Sequence, residues 1–319
     1  MSKIAFVFPG QGAQYVGMGK DLAENYPVAA GVYEEASRVL GFDVGRLCFE
    51  GPEEELKKTE YTQPAILTTS IACLRVLHQH GIKPDMVAGL SLGEYSALVA
   101  AGVLEFTDAV RLVRNRGRYM QEAVPVGEGG MAAIIGLDHR KVQEACREGA
   151  ARGIVEPANF NCPGQVVISG HQEAVEMSIE VARSLGAKKV VPLKVSAPFH
   201  CQLMRPAGER LEHDLAEVEM SEPVIPVFAN VSGRPVQGVA DIERSLVQQV
   251  SRPVLWETTI RRMLKQGAQL FLEVGPGTTL KGFIKKIDRK ARVLSAGDLP
   301  SIDRILDSWQ GACYNVADR

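Results

Sequence analysis

Short apolar runs alternate with longer stretches of helical periodicity along the first 125 residues. The apolar runs Ile4–Phe8 and Met86–Ala88 predict strands. The helical patterns between and after them cover Asp21–Leu40, Gln63–His80 and Glu94–Ala101. Alternation of this kind predicts an α/β fold whose sheet is mostly parallel.

The pattern changes at the glycine-rich segment Val124–Gly130, which predicts a hinge. After the hinge, the chain predicts a strand, a helix, two strands, a helix and a strand, at Met131–Ile135, Asp138–Ala151, Ile154–Ala158, Gln165–Ser169, Gln172–Leu185 and Lys189–Leu193. A turn is predicted at Asn161–Gly164, between the two adjacent strands. This βαββαβ order is that of the split βαβ or ferredoxin-like motif.

The helix and strand alternation resumes beyond the ferredoxin-like stretch, where Pro226–Ala229 and Gln269–Val274 predict strands that return to the first sheet. We therefore expect a hydrolase-like, mostly parallel sheet in a discontinuous large domain, residues 1–125 and 199–319. The small ferredoxin-like domain, residues 126–198, is expected as an insertion in it. The active cleft should lie between the two domains.

Composition restricts the class of protein. Of the 319 residues, 45% are hydrophobic and 23% are charged, which is typical of a globular protein. The net charge of -2 provides no basic field for a nucleic acid. No apolar run reaches the roughly 18 residues of a membrane span, and the N-terminal run is too short for a signal sequence. Six cysteines without a C-x-x-C pair favour reduced thiols over a metal site, so we expect a cytoplasmic protein without membrane or nucleic-acid partners.

The segment Gly89–Gly93 fits the G-x-S-x-G pattern and lies between a predicted strand and a predicted helix. Glycines on both sides allow the sharp turn that exposes the hydroxyl of Ser91, and the helix N-terminus favours a developing negative charge there. These features predict a nucleophile elbow. The residues alone also allow a serine that caps the helix between two glycines.

A serine nucleophile needs a base near neutral pH, and the chain has six histidines. Five of them lie in or beside polar helical stretches, where a surface histidine is expected: His78, His80, His139, His171 and His213. His200 differs, because it lies where the chain re-enters the large domain, at the expected cleft. Its position alone leaves open whether it is a base or an ordinary loop histidine.

Arg116 falls in the middle of the apolar stripe of the helix predicted over Thr107–Ala123. The other arginines of this helix, Arg111, Arg114 and Arg118, share the opposite face. A buried guanidinium is unfavourable unless a carboxylate or phosphate meets it. Two interpretations follow, an internal salt bridge to Asp or Glu and a site for an anionic substrate.

Gly10-Gln11-Gly12 follows the first strand, but Tyr15 occupies the place of the third glycine of a dinucleotide-binding loop. A tight loop that presents the backbone N–H of Gln11 beside that of Leu92, as a pair of oxyanion donors, is a better interpretation. A plain turn is the alternative.

These segments together resemble the malonyl-CoA:acyl carrier protein transacylases, the stand-alone relatives of the acyltransferase domains of fatty acid and polyketide synthases. The resemblance covers nearly the whole chain. The matching segments are Phe8–Gly12, Thr62–Ala65, Ser91–Tyr95, Arg116–Arg118, Asn159–Asn161, Pro163–Gln165, Phe199–His200 and Glu273–Gly277. Matches in this number and order argue against a chance similarity.

The resemblance implies a role for each residue of the catalytic centre. Ser91 is the implied nucleophile and His200 the implied general base. The backbone amides of Gln11 and Leu92 are the implied oxyanion donors. The family has no carboxylate as a third member, and the main-chain carbonyl of the residue matching Gln249 orients the histidine.

The resemblance also implies how the acyl group is recognised. Arg116 would clamp the malonyl carboxylate, and Gln63, Asn161 and Phe199 would complete the substrate site, with Phe199 closing it against a methyl branch. One position departs from the family, because Leu90 stands where a histidine usually precedes the nucleophile. We expect catalysis to survive this change. The residues alone do not determine how Leu90 affects the elbow.

The implied activity is transfer of a malonyl group from malonyl-CoA to the phosphopantetheine thiol of an acyl carrier protein, through an ester on Ser91. Coenzyme A thioester and phosphopantetheine act as substrates, and neither a metal nor a bound cofactor is implied. We expect a monomer. A serine hydrolase such as a thioesterase, and a catalytically inactive docking module, are the alternatives. The inward Arg116 argues against the first, and the intact Ser91 and His200 argue against the second.

Overall fold

The computed structural model describes residues 3–193, 195 and 197–314, and the strands of this part of the chain form two sheets. In chain order the strands are β1 (Lys3–Phe8), β2 (Met86–Gly89), β3 (Gly129–Ile135), β4 (Val155–Cys162), β5 (Gln165–His171), β6 (Lys189–Pro192), β7 (Val227–Phe228), β8 (Ala268–Val274) and β9 (Arg292–Ala296). A five-stranded sheet has the order β7-β2-β1-β8-β9, and a four-stranded sheet has the order β4-β5-β3-β6.

Helices connect most of these strands and cover both faces of the larger sheet. The helices that precede β3 are α1 (Lys20–Asn25), α2 (Pro27–Leu40), α3 (Val44–Glu50), α4 (Glu53–Leu56), α5 (Thr59–Gln79), α6 (Gly93–Ala100) and α7 (Phe106–Glu122). Those that follow are α8 (His139–Gly149), α9 (Gln172–Ser184), α10 (Arg205–Ala216), α11 (Val239–Ser251), α12 (Trp256–Lys265), α13 (Thr279–Ile287) and α14 (Leu299–Tyr314).

All neighbouring strands of the five-stranded sheet are parallel, as predicted. Its central strand β1 is buried on both faces: Phe6 and Phe8 pack into one apolar cluster, whereas Ala5 and Val7 pack into another. At the carboxyl end, Phe8 of β1 pairs with Gly89 of β2. The loops that follow these two strands therefore emerge side by side, at the edge where parallel sheets place their sites.

The four-stranded sheet is antiparallel and has the strand order of the ferredoxin-like motif, so that prediction is confirmed. Ala132 and Ile134 of β3 pack beneath α8 and α9, while Met131 and Ala133 face the large sheet. All four strands lie inside the stretch 126–198. The exact domain boundaries stay a prediction.

The structure corrects some predicted elements. The helix predicted over Asp21–Leu40 is divided at Tyr26, because Pro27 has no N–H and begins a new helix, α2. The turn predicted at Asn161–Gly164 is shorter, since β4 continues to Cys162. The edge strand β9 and the short helices α3 and α4 were not predicted.

None of the helices in the described ranges is long and apolar enough to cross a membrane.

Candidate active site

Ser91 lies in a strained turn between β2 and α6, with a φ of 54°. Two close backbone approaches require glycine around it: a Cβ on Gly89 would collide with the carbonyl group of Gly93, and a Cβ on Gly93 would collide with the carbonyl oxygen of Phe8. The local sequence therefore produces the predicted elbow. A residue held at positive φ in such a turn is typical of a functional site.

Asn230, just after β7, holds the elbow from the neighbouring strand. Its Oδ1 accepts a hydrogen bond from the backbone N–H of Ser91 over 2.6 Å, and its Nδ2 donates to the carbonyl of Gly89 over 2.7 Å. Both polar ends of the buried amide are thus occupied. Asn230 fixes the strand and the turn on either side of Leu90.

His200 is 4% exposed, also has a positive φ, and links Ser91 to the backbone of α11. Its Nε2 lies 2.7 Å from the Oγ of Ser91, and its Nδ1 lies 2.7 Å from the carbonyl oxygen of Gln249. Because a carbonyl can only accept, Nδ1 carries the hydrogen and Nε2 presents its lone pair to the serine hydroxyl. The predicted nucleophile, base and orienting carbonyl are therefore in one chain of hydrogen bonds.

The surroundings keep the imidazole of His200 neutral. Burial, and then the positive charge of Arg116, lower its pKa to about 3, although the hydrogen bond to Gln249 acts in the opposite direction. At neutral pH the ring can therefore accept a proton from Ser91.

Arg116 projects from α7 into the same site and is 1% exposed. Its Nη1 donates to Oε1 of Gln63 over 2.7 Å, and its Nη2 donates to Oε1 of Gln249 over 2.8 Å and to Oγ of Ser91 over 3.1 Å. Among the described residues no carboxylate forms an ion pair with it, so the internal salt bridge is wrong. A buried cation held only by neutral groups can bind an anion.

A cavity of about 260 Å³ lies between the two sheets, and Ser91 is one of the residues that line it. The large domain contributes Arg116 and Gln63, and the small domain contributes the apolar side chains Met131, Ala133 and Val167. The other residues that we predicted for the site and that line the cavity are Gln11, Leu92, Asn161, Phe199 and His200. The structure therefore brings the predicted residues together, with Gln249 behind Arg116.

Gln11 and Leu92 follow the adjacent strands β1 and β2, and both line the cavity beside Ser91. Leu92 immediately precedes α6, where a helix leaves its amides without internal acceptors. Gly10 lets the first loop approach the elbow, because a Cβ there would collide with the carbonyl oxygen of Leu90. Two amides at these places can stabilise an oxyanion on the reacting carbonyl.

Leu90, the position that departs from the family pattern, is half-buried and lines the cavity. It packs against the apolar cluster on the α13 side of the sheet, as does Phe283. An apolar side chain at this position therefore extends the apolar wall of the cavity.

Glu94 was not among the residues that we predicted for the site, although it lies three positions after the nucleophile. It is 2% exposed, and its Oε2 accepts hydrogen bonds from Nε2 of Gln249 over 2.7 Å and from the backbone N–H of Asn230 over 3.2 Å. Burial raises the pKa of Glu94 to about 7 against the opposing effects of these hydrogen bonds and of Arg116.

Sequence signals for Glu94 and Asn230 do exist. Glu94 is the one charged residue in the mostly apolar segment Gly93–Ala100. Asn230 follows the predicted strand Pro226–Ala229 at the carboxyl edge of the sheet. A charge in an apolar helix and a polar residue at that edge are both typical of a site.

Comparison with known proteins identifies relatives over nearly the full length. The model of the acyl transferase domain family matches residues 5–308. The malonyl CoA-acyl carrier protein transacylase of Escherichia coli (strain K12) is 51% identical over 288 residues, which covers 90% of this chain and 93% of that protein. The protein of the same name from Bacillus subtilis (strain 168) is 47% identical over 304 residues, covering 95% and 96%.

Solved structures show the same architecture. The malonyl CoA-acyl carrier protein transacylase of Clostridium perfringens superposes with a TM-score of 0.96 at 42% identity, covering 100% of both chains. A malonyl-transacylase in complex with its type II polyketide synthase acyl carrier protein superposes with a TM-score of 0.94 at 47% identity, covering 96% of this chain and 100% of that chain.

Proposed function

Since this chain belongs to the acyl transferase domain family, we propose that it transfers a malonyl group from malonyl-CoA to the phosphopantetheine thiol of an acyl carrier protein. The observation that carries the malonyl assignment is the buried Arg116, whose partners are neutral and whose Nη2 contacts the Oγ of Ser91. A guanidinium at this distance from the nucleophile can hold the free carboxylate of a malonyl thioester by two parallel hydrogen bonds.

In the first half-reaction, Ser91 attacks the thioester carbonyl while its proton passes to Nε2 of His200. The 2.7 Å contact between Oγ and Nε2 suits this transfer, and the carbonyl of Gln249 stabilises the resulting imidazolium through Nδ1. The backbone amides of Gln11 and Leu92 hold the oxyanion of the tetrahedral intermediate. His200 then gives its proton to the departing thiolate of coenzyme A, which leaves a malonyl ester on Ser91.

In the second half-reaction, the phosphopantetheine thiol of the carrier protein enters the same cavity. His200 takes the thiol proton, the thiolate attacks the ester, and the oxyanion forms at the same two amides. Collapse of the intermediate returns the proton from His200 to Ser91. Malonyl-thioester on the carrier protein leaves, and the enzyme is restored.

Three further residues are proposed to complete the substrate site. Gln63 holds the guanidinium of Arg116 from the side opposite Gln249. Phe199 and Asn161 are both buried and line the cavity. Next to the base, Phe199 limits the room for a methyl branch, so malonyl should be preferred to methylmalonyl.

We propose that the protein acts as a monomer, since one chain supplies the nucleophile, the base, the orienting carbonyl and Arg116. We also propose that it works in the cytoplasm, where malonyl-CoA and the carrier protein would meet, and that no resident cofactor takes part. The chemistry needs only the hydroxyl, the imidazole and the two amides.

Intact-mass measurement tests the proposal. Incubation with malonyl-CoA should add one malonyl group to the protein, and incubation with acetyl-CoA or methylmalonyl-CoA should add much less of the corresponding group. The Ser91→Ala variant should remain unlabelled; labelled Ser91→Ala protein would refute the nucleophile assignment.

Addition of the holo carrier protein to the labelled enzyme distinguishes the alternatives. Transfer to the carrier, faster than release of free malonate, is expected of a transacylase. Rapid release of malonate without transfer would indicate a thioesterase. Absence of any labelling would indicate a docking module.

A further inference from the structure

We propose that Glu94 is a positioning residue for malonyl transfer, which acts by fixing the side-chain amide of Gln249 and, through it, the guanidinium of Arg116. The inference rests on the proposed function and assigns a role to a carboxylate that does not contact the reacting groups. This carboxylate accepts hydrogen bonds from Nε2 of Gln249 and from the backbone N–H of Asn230.

The side chain of Gln249 is the link between Glu94 and Arg116. Its Nε2 donates to Oε2 of Glu94 over 2.7 Å and to the carbonyl oxygen of Ser91 over 2.8 Å. Its Oε1 accepts from Nη2 of Arg116 over 2.8 Å. Every polar end of this buried amide is therefore used, and the main-chain carbonyl of the same residue independently holds His200.

The direction of the amide matters because its two ends have opposite hydrogen-bonding character. A carboxylate and a carbonyl can only accept, whereas a guanidinium can only donate. The carboxylate of Glu94 and the main-chain carbonyl of Ser91 therefore require the NH₂ group of Gln249 on their side. The amide oxygen is then left to accept from Arg116. A reversed amide would place two donors face to face at Arg116 and would push the guanidinium away.

Glu94 also lies close enough to the buried Arg116 for the two side chains to interact electrostatically. Each of the two side chains shifts the pKa of the other toward the ionised form. Because the amide of Gln249 separates them, the guanidinium does not lie in a direct ion pair with Glu94. It can therefore meet a substrate carboxylate while its own position remains fixed.

Substitutions of Glu94 and of the linking residue Gln249 test the inference. Glu94→Met keeps an unbranched side chain of similar volume but removes the acceptor. Gln249→Ala removes the amide while the main-chain carbonyl that holds His200 remains. Glu94→Gln is the conservative variant, because its single carbonyl oxygen can still accept both hydrogen bonds.

The expected results concern the discrimination between acyl groups. Glu94→Met and Gln249→Ala should each lower kcat/KM for malonyl-CoA by about 10- to 100-fold, mainly through KM, since the clamp for the carboxylate is loosened. Acylation by acetyl-CoA should fall much less than acylation by malonyl-CoA, because the side chain of Asn230 still holds the elbow and the main-chain carbonyl of Gln249 still holds His200. Glu94→Gln should recover most of the loss.

A double-variant cycle tests whether Glu94 acts through Gln249. If it does, the double variant Glu94→Met with Gln249→Ala should have a kcat/KM for malonyl-CoA no more than about twofold below that of the less active single variant. Additive losses would overturn the inference, as would equal losses for malonyl and acetyl groups or a Glu94→Gln variant as weak as Glu94→Met.

Two controls keep the outcome decisive. If Glu94→Met fails to fold, Gln249→Ala and Glu94→Gln still test the link, and an unchanged malonyl preference in Gln249→Ala would overturn it. Failure of the unsubstituted protein to form a malonyl ester would instead refute the proposed function, whatever the variants do.

Discussion

Nη2 of Arg116 donates a hydrogen bond to Oγ of Ser91 over 3.1 Å, so the proposed clamp and the proposed nucleophile are in direct contact. The same Oγ lies 2.7 Å from Nε2 of His200. The hydroxyl is thus placed between a cation and a base. This arrangement favours negative charge on Oγ as its proton moves to the imidazole.

Arg116→Ala should separate malonyl from acetyl transfer. Loss of the guanidinium should reduce kcat/KM for malonyl-CoA on the order of 30-fold to several thousand-fold, which corresponds to about 2 to 5 kcal/mol. Acetyl transfer should fall far less, because acetyl offers no carboxylate. Arg116→Lys should recover only part of the activity, since an ammonium does not reproduce the planar fork. Equal losses for the two acyl groups, measured by intact-mass time courses, would assign Arg116 a structural role.

The reactivity of Ser91 should be almost independent of pH between about 5 and 8. The pKa of His200 is lowered from its ordinary 6.5 to about 3, so the ring stays neutral throughout this range. An uncharged sulfonyl fluoride that modifies Ser91 would report this without titrating a substrate. A rate that falls about tenfold per pH unit below 6.5 would show an ordinary histidine.

Arg116→Ala provides the companion measurement for this pH profile. Removal of the nearby charge should raise the pKa of His200, but not to its ordinary value, because burial is the larger cause of the shift. The rates should be compared below pH 5, where protonation of the ring begins to lower them, and identical profiles there would show that the charge of Arg116 does not act on the base.

Gly89→Ala should destabilise the protein by about 3 kcal/mol or more. Its Cβ would collide with backbone atoms of Gly93, which cannot move without opening the elbow. Gly31→Ala is the matched control, since Gly31 lies within α2 and a Cβ there meets open space. That variant should gain roughly 0.5 to 1 kcal/mol from its helix propensity. Urea unfolding of both variants would measure these changes, and similar stabilities would contradict the steric explanation.

Lys286→Glu should weaken transfer to the carrier protein without slowing the formation of the malonyl ester. Lys286 is exposed on α13, and its Nζ lies 3.3 Å from Oε1 of Gln165, which lines the cavity. Carrier proteins are typically acidic, so a cation at the mouth should attract them, and raised salt should reduce the effect. Arg38→Glu, an exposed cation on α2, is the control and should leave both half-reactions unchanged. Equal transfer rates for the two variants would show that Lys286 does not take part in docking.

Arg261 is less suited to docking than Lys286, although it lies beside a second arginine, Arg262, in the sequence. Arg261 forms an ion pair with Glu257 on the same helix, and Arg262 donates to the carbonyl of Ser232. The carboxylate of Glu257 therefore partly neutralises Arg261, whereas Lys286 donates to the neutral amide of Gln165. This distinction between Lys286 and Arg261 required the structure.

The sequence by itself determined the features that depend on neighbouring residues. Strand and helix periods predicted the parallel sheet and the ferredoxin-like insertion, because each period reports which face of one element is buried. The glycines around Ser91 predicted the elbow, since the turn is local. The period of α7 placed Arg116 inward, and the structure confirms this.

Only the tertiary structure decided which distant residues meet at Ser91. His200 lies 109 positions from Ser91 in the chain, and Gln249 lies 133 positions from Arg116. No local pattern connects such residues, because their contact depends on how the two sheets and α11 pack. For the same reason, sequence patterns left the partner of Arg116 open between an internal carboxylate and a substrate. Packing places the neutral amide of Gln249 between the guanidinium and Glu94, and that arrangement leaves Arg116 able to bind an anion.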